Sequence, residues 1–93
     1  MAKYQIVLKP NAEKDLSKHK KAGNQATIKK INSIFRDLEE HPYEGVGQPE
    51  ELKHNLSGLW SRRINQKDRL IYEVEEEIVT VYVISAMGHY SDK

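Results

Sequence analysis

The residues of this chain that could do chemistry are cations, a carboxylate and an imidazole in its second half: Lys53, Arg63, Arg69, Glu50 and His89. Guanidinium and ammonium groups gathered on one surface would bind phosphate, because a planar guanidinium matches two phosphate oxygens at once. A glutamate and a histidine can accept and donate a proton. Their spacing in the sequence does not by itself bring Glu50 or His89 to the cations.

The alternation of side chains along two predicted strands places the two arginines together. Trp60 and Leu70 lie on the apolar sides of their strands, and we expect these sides to pack under helices. Arg63 and Arg69 then emerge together on the open face of the sheet. Arg62 falls on the packed side, where we expect its long side chain to reach solvent at an edge.

The same cations have a second interpretation. They could form a salt-bridged sheet surface in which the arginines pair with Glu73 and Glu75. Lys53, expected on the neighbouring strand, would join either arrangement. The pattern alone leaves both a phosphate site and a salt-bridged surface open.

The net charge of +1 conceals a strong segregation of charge along the chain. Residues 1–33 carry eight lysines against two acids, and residues 53–71 are also basic. Residues 34–52 and 72–93 are acidic. The electrostatic field of each charged segment, and not the net charge, will therefore determine which polyanion binds to the protein surface.

Several kinds of active site are excluded by what the sequence lacks. It has no cysteine, no G-x-S-x-G or H-E-x-x-H motif, and no glycine loop that could cradle phosphate. The four histidines lack the spacing of metal ligands, so we expect neither a metal nor another cofactor. A chain of 93 residues, without an apolar run of membrane-spanning length, is expected to be one cytoplasmic domain over residues 1–93.

The periodicity of the sequence predicts an α+β fold in the order β-α-α-β-β-β-β. A helix should run from Pro10 to Gly23, and a second, capped by Asn24, should run to about His41. Strands are expected at 3–8, 52–55, 59–64, 69–75 and 78–85. The helical hairpin would pack on one face of a mainly antiparallel sheet and leave the other face free for a ligand.

Residues 42–64, with the run His-Asn-Leu-Ser-Gly-Leu-Trp-Ser-Arg-Arg-Ile at 54–64, resemble the YoeB/Txe-type toxins of bacterial toxin–antitoxin systems. Residues 68–72 and the final Gly-His-Tyr at 88–90 agree with the same family, which belongs to the RelE-like superfamily. The predicted order of elements matches the RelE-like fold.

The resemblance implies a toxin that is a ribosome-dependent endoribonuclease: it would cleave mRNA in the decoding site by metal-free attack of a 2′-hydroxyl and so inhibit translation. By position, it implies Glu50 as the general base, Arg69 as the phosphate-binding residue and His89 as the general acid. The residues that it implies for RNA binding are Lys53, Arg63 and Tyr90. The implied partners are mRNA, the small ribosomal subunit, a cognate antitoxin and a second copy of the chain.

Two other functions remain open from the sequence. ParE-like proteins of the same superfamily poison DNA gyrase by binding and use no nuclease residues. A structural or DNA-binding module with a basic face would bind duplex in a salt-sensitive way and cleave nothing. The presence of His89 and Tyr90 together with Glu50 favours the nuclease.

Overall fold

The computed structural model describes residues 3–88 of the 93-residue chain. Strand β1 (Gln5–Leu8) leads into a hairpin of two helices, α1 (Pro10–Ala22) and α2 (Gln25–Leu38). Four strands follow, and they are β2 (Glu50–Glu51), β3 (Trp60–Arg63), β4 (Arg69–Glu75) and β5 (Thr80–Ser85). The predicted α+β class and order of elements are confirmed.

The helices begin and end where the local sequence chemistry allows. Gly23, with a φ of 73°, adopts the left-handed conformation that ends α1, and its N–H donates to the carbonyl of His19. The side chain of Asn24 caps α2 by accepting from the N–H of Thr27 at 3.1 Å. Helix α2 ends at Leu38, earlier than predicted, because the following residues turn toward Pro42, which cannot continue a helix.

The five strands form one sheet in the order β1-β5-β4-β3-β2. The pairing of β1 with β5 is parallel and the other pairings are antiparallel. The helices cover one face of this sheet, as predicted. The buried core between them contains Ala12, Ile31, Ile34 and Leu38 from the helices and Leu70, Tyr72, Val81 and Val83 from the strands.

Two predicted strand boundaries are wrong. The strand expected at 52–55 is the two-residue β2, and His54–Leu56 instead form a 3-10 turn. The hydrogen bonds between β2 and β3 end where the N–H of Leu52 donates to the carbonyl of Leu59. Residues 53–58 therefore form the connection between the two strands. Strand β5 starts at Thr80, not at residue 78, because Glu76–Ile78 form a second 3-10 turn.

Candidate active site on the sheet

Arg63 of β3 and Arg69 of β4 lie directly opposite each other in the antiparallel register. Directly opposed residues project from the same side of a sheet, and here that is the side turned away from the helices. The juxtaposition is the one predicted from strand alternation. We call this side, defined by Arg63 and Arg69, the arginine face.

A row of four paired residues crosses the arginine face beside the two arginines. Glu50 pairs with Ser61, Ser61 with Ile71, and Ile71 with Ser85. Glu50 is exposed, whereas the other three residues are buried. The Oγ atom of Ser61 has no hydrogen-bond partner among the described residues. The row therefore consists of three buried residues with an exposed carboxylate at its outer end.

Glu50 and Arg69 bring a carboxylate and a guanidinium side by side. The Oε1 atom of Glu50 lies 3.8 Å from the Nη1 atom of Arg69, which is an ion-pair contact and not a hydrogen bond. Within residues 3–88, neither Glu73 nor Glu75 pairs with an arginine, and the guanidinium of Arg63 has no ion-pair partner. The salt-bridged surface with Glu73 and Glu75 is therefore not observed.

Lys53 lies two residues beyond β2, immediately before the 3-10 turn His54–Leu56. Its expected position on a strand beside the arginines is therefore wrong, because the strand ends at Glu51. Its side chain is exposed, on the connection that follows Glu50 and Glu51. It is a cation at the sheet edge, outside the row of paired residues.

His89 and Tyr90, the last two candidate residues, lie outside the described residues. The chain that leads to them can be followed to Gly88. The N–H of Arg69 donates to the carbonyl of Gly88 at 2.8 Å, so the residue preceding His89 is joined to the backbone of Arg69. The segment that follows β5 thus reaches the backbone of Arg69, the arginine whose side chain contacts Glu50.

Arg62 is the residue for which the sequence interpretation was most wrong. It does not reach solvent at an edge; its side chain is fully buried. Its Nε donates to the hydroxyl of Tyr72 at 3.2 Å, and its Nη1 donates to Asp37 at 2.7 Å. The remaining acceptors are the carbonyls of His41, Glu44 and Val46. A guanidinium has five N–H donors, and five acceptors surround this one.

The loop over residues 41–47 is folded around the Arg62 guanidinium. A side chain on Gly45 would overlap the Asp37 carboxylate, since a Cβ atom would lie 1.8 Å from its Oδ2. The carbonyl of Gly47 accepts from the N–H of Arg63 at 2.7 Å, which joins the loop to β3. Because residues 48 and 49 lead directly to Glu50, this packing fixes where β2 begins.

Asp37 is the anionic partner of Arg62, and its environment changes its acidity. Burial raises the pKa of the Asp37 carboxyl, but the hydrogen bonds from Arg62 and the N–H of Val46, with the positive charge of Arg62, outweigh burial. The net result is a pKa below its ordinary value of 3.8. The carboxylate therefore stays ionised opposite the buried guanidinium.

A second cluster holds the same loop at its outer side. The hydroxyls of Tyr43 and Tyr4 both donate to the carboxylate of Glu76. These two hydrogen bonds, that of Tyr43 first, lower the pKa of Glu76. Burial and the bond to Glu76 raise the pKa of Tyr43, whose ring lies 5.1 Å from that of Trp60. The loop thus contacts β3 through Trp60 and the turn after β4 through Glu76, which also binds Tyr4, the residue before β1.

Sequence reasoning missed two sets of polar residues. It did not identify Asp37 as the partner of Arg62, and it assigned no buried role to Asp15. Asp15 and His19 are in fact buried and bind the backbone of Ala86. The signal was present in the spacing, because positions 12, 15 and 19 share one face of a helix and two of them are polar.

Residues 3–88 contain no group of three histidine or carboxylate side chains that could hold a metal ion. In the same range, no helix is long and apolar enough to cross a membrane.

The chain matches the family model described as the YoeB-like toxin of bacterial type II toxin–antitoxin systems over residues 8–90. Among individual proteins, it is 48% identical over 63 residues to Toxin YoeB of Escherichia coli O6:H1 (strain CFT073). The aligned residues cover 68% of this chain and 73% of that protein.

Two solved structures from Staphylococcus aureus are similar to the described fold. A YoeB dimer is 36% identical, covers 96% of this chain and 100% of the matched chain, and superposes with a TM-score of 0.78. A YoeB–YefM complex is 37% identical with the same coverage and a TM-score of 0.76.

Proposed function

The chain belongs to the family of YoeB-like toxins of bacterial type II toxin–antitoxin systems, and from this premise we propose that it is a ribosome-dependent endoribonuclease that cleaves mRNA in the decoding site. Cleavage would stop translation in the cytoplasm. The whole chain, residues 1–93, would act as a single toxin domain.

The proposed reaction uses the 2′-hydroxyl of the RNA as the nucleophile. Glu50 accepts the 2′-hydroxyl proton as O2′ forms a bond to the adjacent phosphorus, and the bond from phosphorus to O5′ breaks. His89 donates a proton to the departing O5′. The products are a 2′,3′-cyclic phosphate and a 5′-hydroxyl. Each proton transfer is worth on the order of 10²–10⁴-fold in rate.

The observation that supports this chemistry best is the 3.8 Å contact between Glu50 and Arg69. A 2′-hydroxyl attacks the phosphate on the neighbouring 3′-oxygen of its own ribose, so its proton acceptor and the cation that binds the phosphate must be neighbours. Arg69 would stabilise the charge that develops on the non-bridging oxygens. Arg63 and Lys53, with Tyr90 stacking on a base, would hold the strand.

The ribosome would supply what the small chain lacks. A flexible RNA must be held in line for attack, and orientation of this kind is worth roughly 7–11 kcal/mol. On the arginine face, the contacts that the described residues offer to an RNA strand are the two arginines and the carboxylate of Glu50. An mRNA held by the small subunit would arrive with its geometry already restricted.

The protein partners are proposed from the relatives. The Staphylococcus aureus structures are a dimer and a complex with YefM. We therefore propose a cognate antitoxin and a homodimer for this chain. An antitoxin segment that places carboxylates opposite Lys53, Arg63 and Arg69 would compete with RNA for the same cations.

The test incubates the purified chain with programmed ribosomes that have a vacant decoding site and maps new 5′-ends on the mRNA. We expect cleavage there, with 5′-hydroxyl ends, and much slower cleavage of the same RNA without ribosomes. Glu50→Gln and His89→Gln should each remove most cleavage. Ser17→Ala, an exposed change on α1, is the matched control and should cleave normally.

Other outcomes would contradict the proposal. Equal rates on free and ribosome-bound mRNA would remove the dependence on the ribosome. Inhibition of DNA gyrase without RNA cleavage would favour the ParE-like function instead. Normal cleavage by both the Glu50 and His89 variants would overturn their assigned roles.

A further inference from the structure

Two residues of α1 bind the backbone of the chain where it leaves β5. The carboxylate of Asp15 accepts from the N–H of Ala86 at 2.9 Å. The Nε2 atom of His19 donates to the carbonyl of the same residue at 2.8 Å, since a carbonyl can only accept. Asp15 and His19 are one helical turn apart, and both are buried. They satisfy both backbone polar groups of Ala86.

The backbone of Gly88 is held in the same way from the other side. Its N–H donates to Oδ1 of Asp68 at 2.9 Å, and its carbonyl accepts from the N–H of Arg69. Gly88 has a φ of 67°, a left-handed conformation that glycine adopts without strain. Ala86 and Gly88 thus have all four backbone polar groups bonded, two to α1 and two to the start of β4.

An irregularity in the pairing of β5 brings the end of the strand to the place where Ala86 contacts α1. The pairing of β4 with β5 shifts register between Ile71 and Tyr72, where Ile71 pairs with Ser85 but Tyr72 pairs with Val83. The extra residue in β5 turns the end of the strand, so that Ser85 joins the buried row on the arginine face while Ala86 enters the core. The polar groups of Ala86 are then buried and need the partners that α1 supplies.

We propose that Asp15, His19 and Asp68 are positioning residues for His89: they fix the backbone of Ala86 and Gly88, from which the chain continues directly to His89. They act through another residue and do not touch the RNA. The inference rests on the proposed function, since it takes His89 as the general acid.

The consequence for catalysis follows from the short reach of a proton transfer. A general acid must lie within about 2.6–3.2 Å of the leaving oxygen. His89 is the residue after Gly88, so the hydrogen bonds at Gly88 fix the backbone of the residue that directly precedes the general acid. A misplacement of about 1 Å can cost on the order of 100-fold in rate. The effect should appear in the rate of the chemical step and not in the affinity for the ribosome.

The test compares paired substitutions that differ only in hydrogen bonding. His19→Phe keeps an aromatic ring in the cleft between α1 and α2 but loses the donor, whereas His19→Gln retains an N–H donor. Asp15→Leu loses the acceptor, and Asp15→Asn retains one. Asp68→Ala removes the acceptor for Gly88 and lies in a turn outside the helices, which provides a second test if the helix variants fail to fold.

Single-turnover cleavage on ribosomes, ribosome affinity and amide exchange at Ala86 and Gly88 are measured for folded protein. We expect His19→Phe, Asp15→Leu and Asp68→Ala to slow cleavage by about 10- to 100-fold with affinity changed less than twofold. Asp15→Leu should also speed exchange at the amide of Ala86, and Asp68→Ala at the amide of Gly88, because these two N–H groups lose their acceptors. His19→Gln and Asp15→Asn should retain most of the rate. Ser17→Ala is the control on the same helix.

The link to His89 is tested in a double variant. Because the proposed effect passes through His89, adding His19→Phe to His89→Gln should cost less than a further twofold in rate. An additive loss, or unchanged rates in the folded single variants, would overturn this inference while leaving the proposed function standing. A wild-type chain that cleaves nothing on ribosomes would overturn both.

Discussion

Arg62 and Arg63 are consecutive residues of β3 with the same side chain and opposite environments. Arg62 is fully buried, and its guanidinium meets five acceptors. Arg63 is exposed, and its guanidinium has no hydrogen bond or ion pair with another described side chain. One arginine is fully occupied in holding the protein together, and the next is available to bind something else.

The difference follows from the pleat of the strand. Successive side chains point to opposite faces, so Arg62 joins the core beside Tyr72 while Arg63 joins Arg69 on the other side. A buried charge is stable only when its partner and hydrogen bonds replace water. The loop over residues 41–47 supplies three of the five acceptors, and the same loop leads to Glu50. The buried arginine therefore supports the exposed site.

The largest effect is expected when the charge of the buried arginine, Arg62, is removed. Arg62→Met keeps most of the volume but leaves Asp37, Tyr72 and three carbonyls without their donor. Loss of one partner of a buried ion pair costs about 3–5 kcal/mol, a large share of the stability of a small domain. Urea denaturation should show this loss in the free energy of unfolding.

The matched control is Arg63→Met, the same substitution one residue along the same strand. Because Arg63 is exposed and unpaired among the described residues, its replacement should change the free energy of unfolding by less than about 0.5 kcal/mol. Equal destabilisation by the two variants would mean that the contrast between the neighbouring arginines is not energetic.

The alternation of side chains along a strand explains how much of this arrangement the sequence could predict. It placed Arg63 opposite Arg69 and Arg62 on the packed side, because strand periodicity depends only on local order. It could not predict that Arg62 is enclosed, because three of its five acceptors are carbonyls of a loop 16–21 residues earlier in the chain, and backbone carbonyls carry no sequence signature. The parallel pairing of β1 with β5 is non-local in the same way.

The second prediction concerns activity on the arginine face. Arg69→Ala should lower the rate of the proposed cleavage by about 10²–10³-fold, since it removes a group that stabilises the developing charge. The free energy of unfolding should change by no more than about 1 kcal/mol, because the ion pair with Glu50 is long and partly exposed to solvent. Single-turnover cleavage and urea denaturation of the same preparation measure both.

Arg69→Lys is the informative companion to this variant. It keeps the positive charge but loses the planar fork of donors. A rate much closer to that of Arg69→Ala than to wild type would indicate two-point phosphate binding. Wild-type activity in Arg69→Ala would remove this residue from the proposed mechanism.

The third prediction separates binding from chemistry. Arg63→Ala and Lys53→Ala each remove one cation, so each should reduce the slope of log affinity for RNA against log salt by about one unit or slightly less. The rate of the chemical step at saturating concentration should change much less than in Arg69→Ala. Titrations of ribosome-bound mRNA at several salt concentrations test this, and an unchanged slope would place the cation away from the RNA.

The smallest expected effect is the pH dependence of stability that arises from Asp37. Its pKa in the folded protein is below the ordinary value of 3.8, because Arg62 and the N–H of Val46, with a smaller contribution from His41, favour the ionised form. A carboxyl of this kind contributes stability that is fully present above pH 3.8 and is lost as the pH falls through its folded pKa. One group can change the free energy of unfolding by at most about 1.4 kcal/mol per pH unit.

Urea denaturation between pH 7 and pH 3 should therefore show a shallower fall in stability for Asp37→Asn than for the wild type, starting from a lower value at pH 7. Glu77→Gln is the control, because it removes an exposed carboxyl that makes no ion pair with another described residue. Its profile should follow that of the wild type. An Asp37→Asn profile parallel to the wild type would show that the carboxylate opposite Arg62 does not contribute to acid sensitivity.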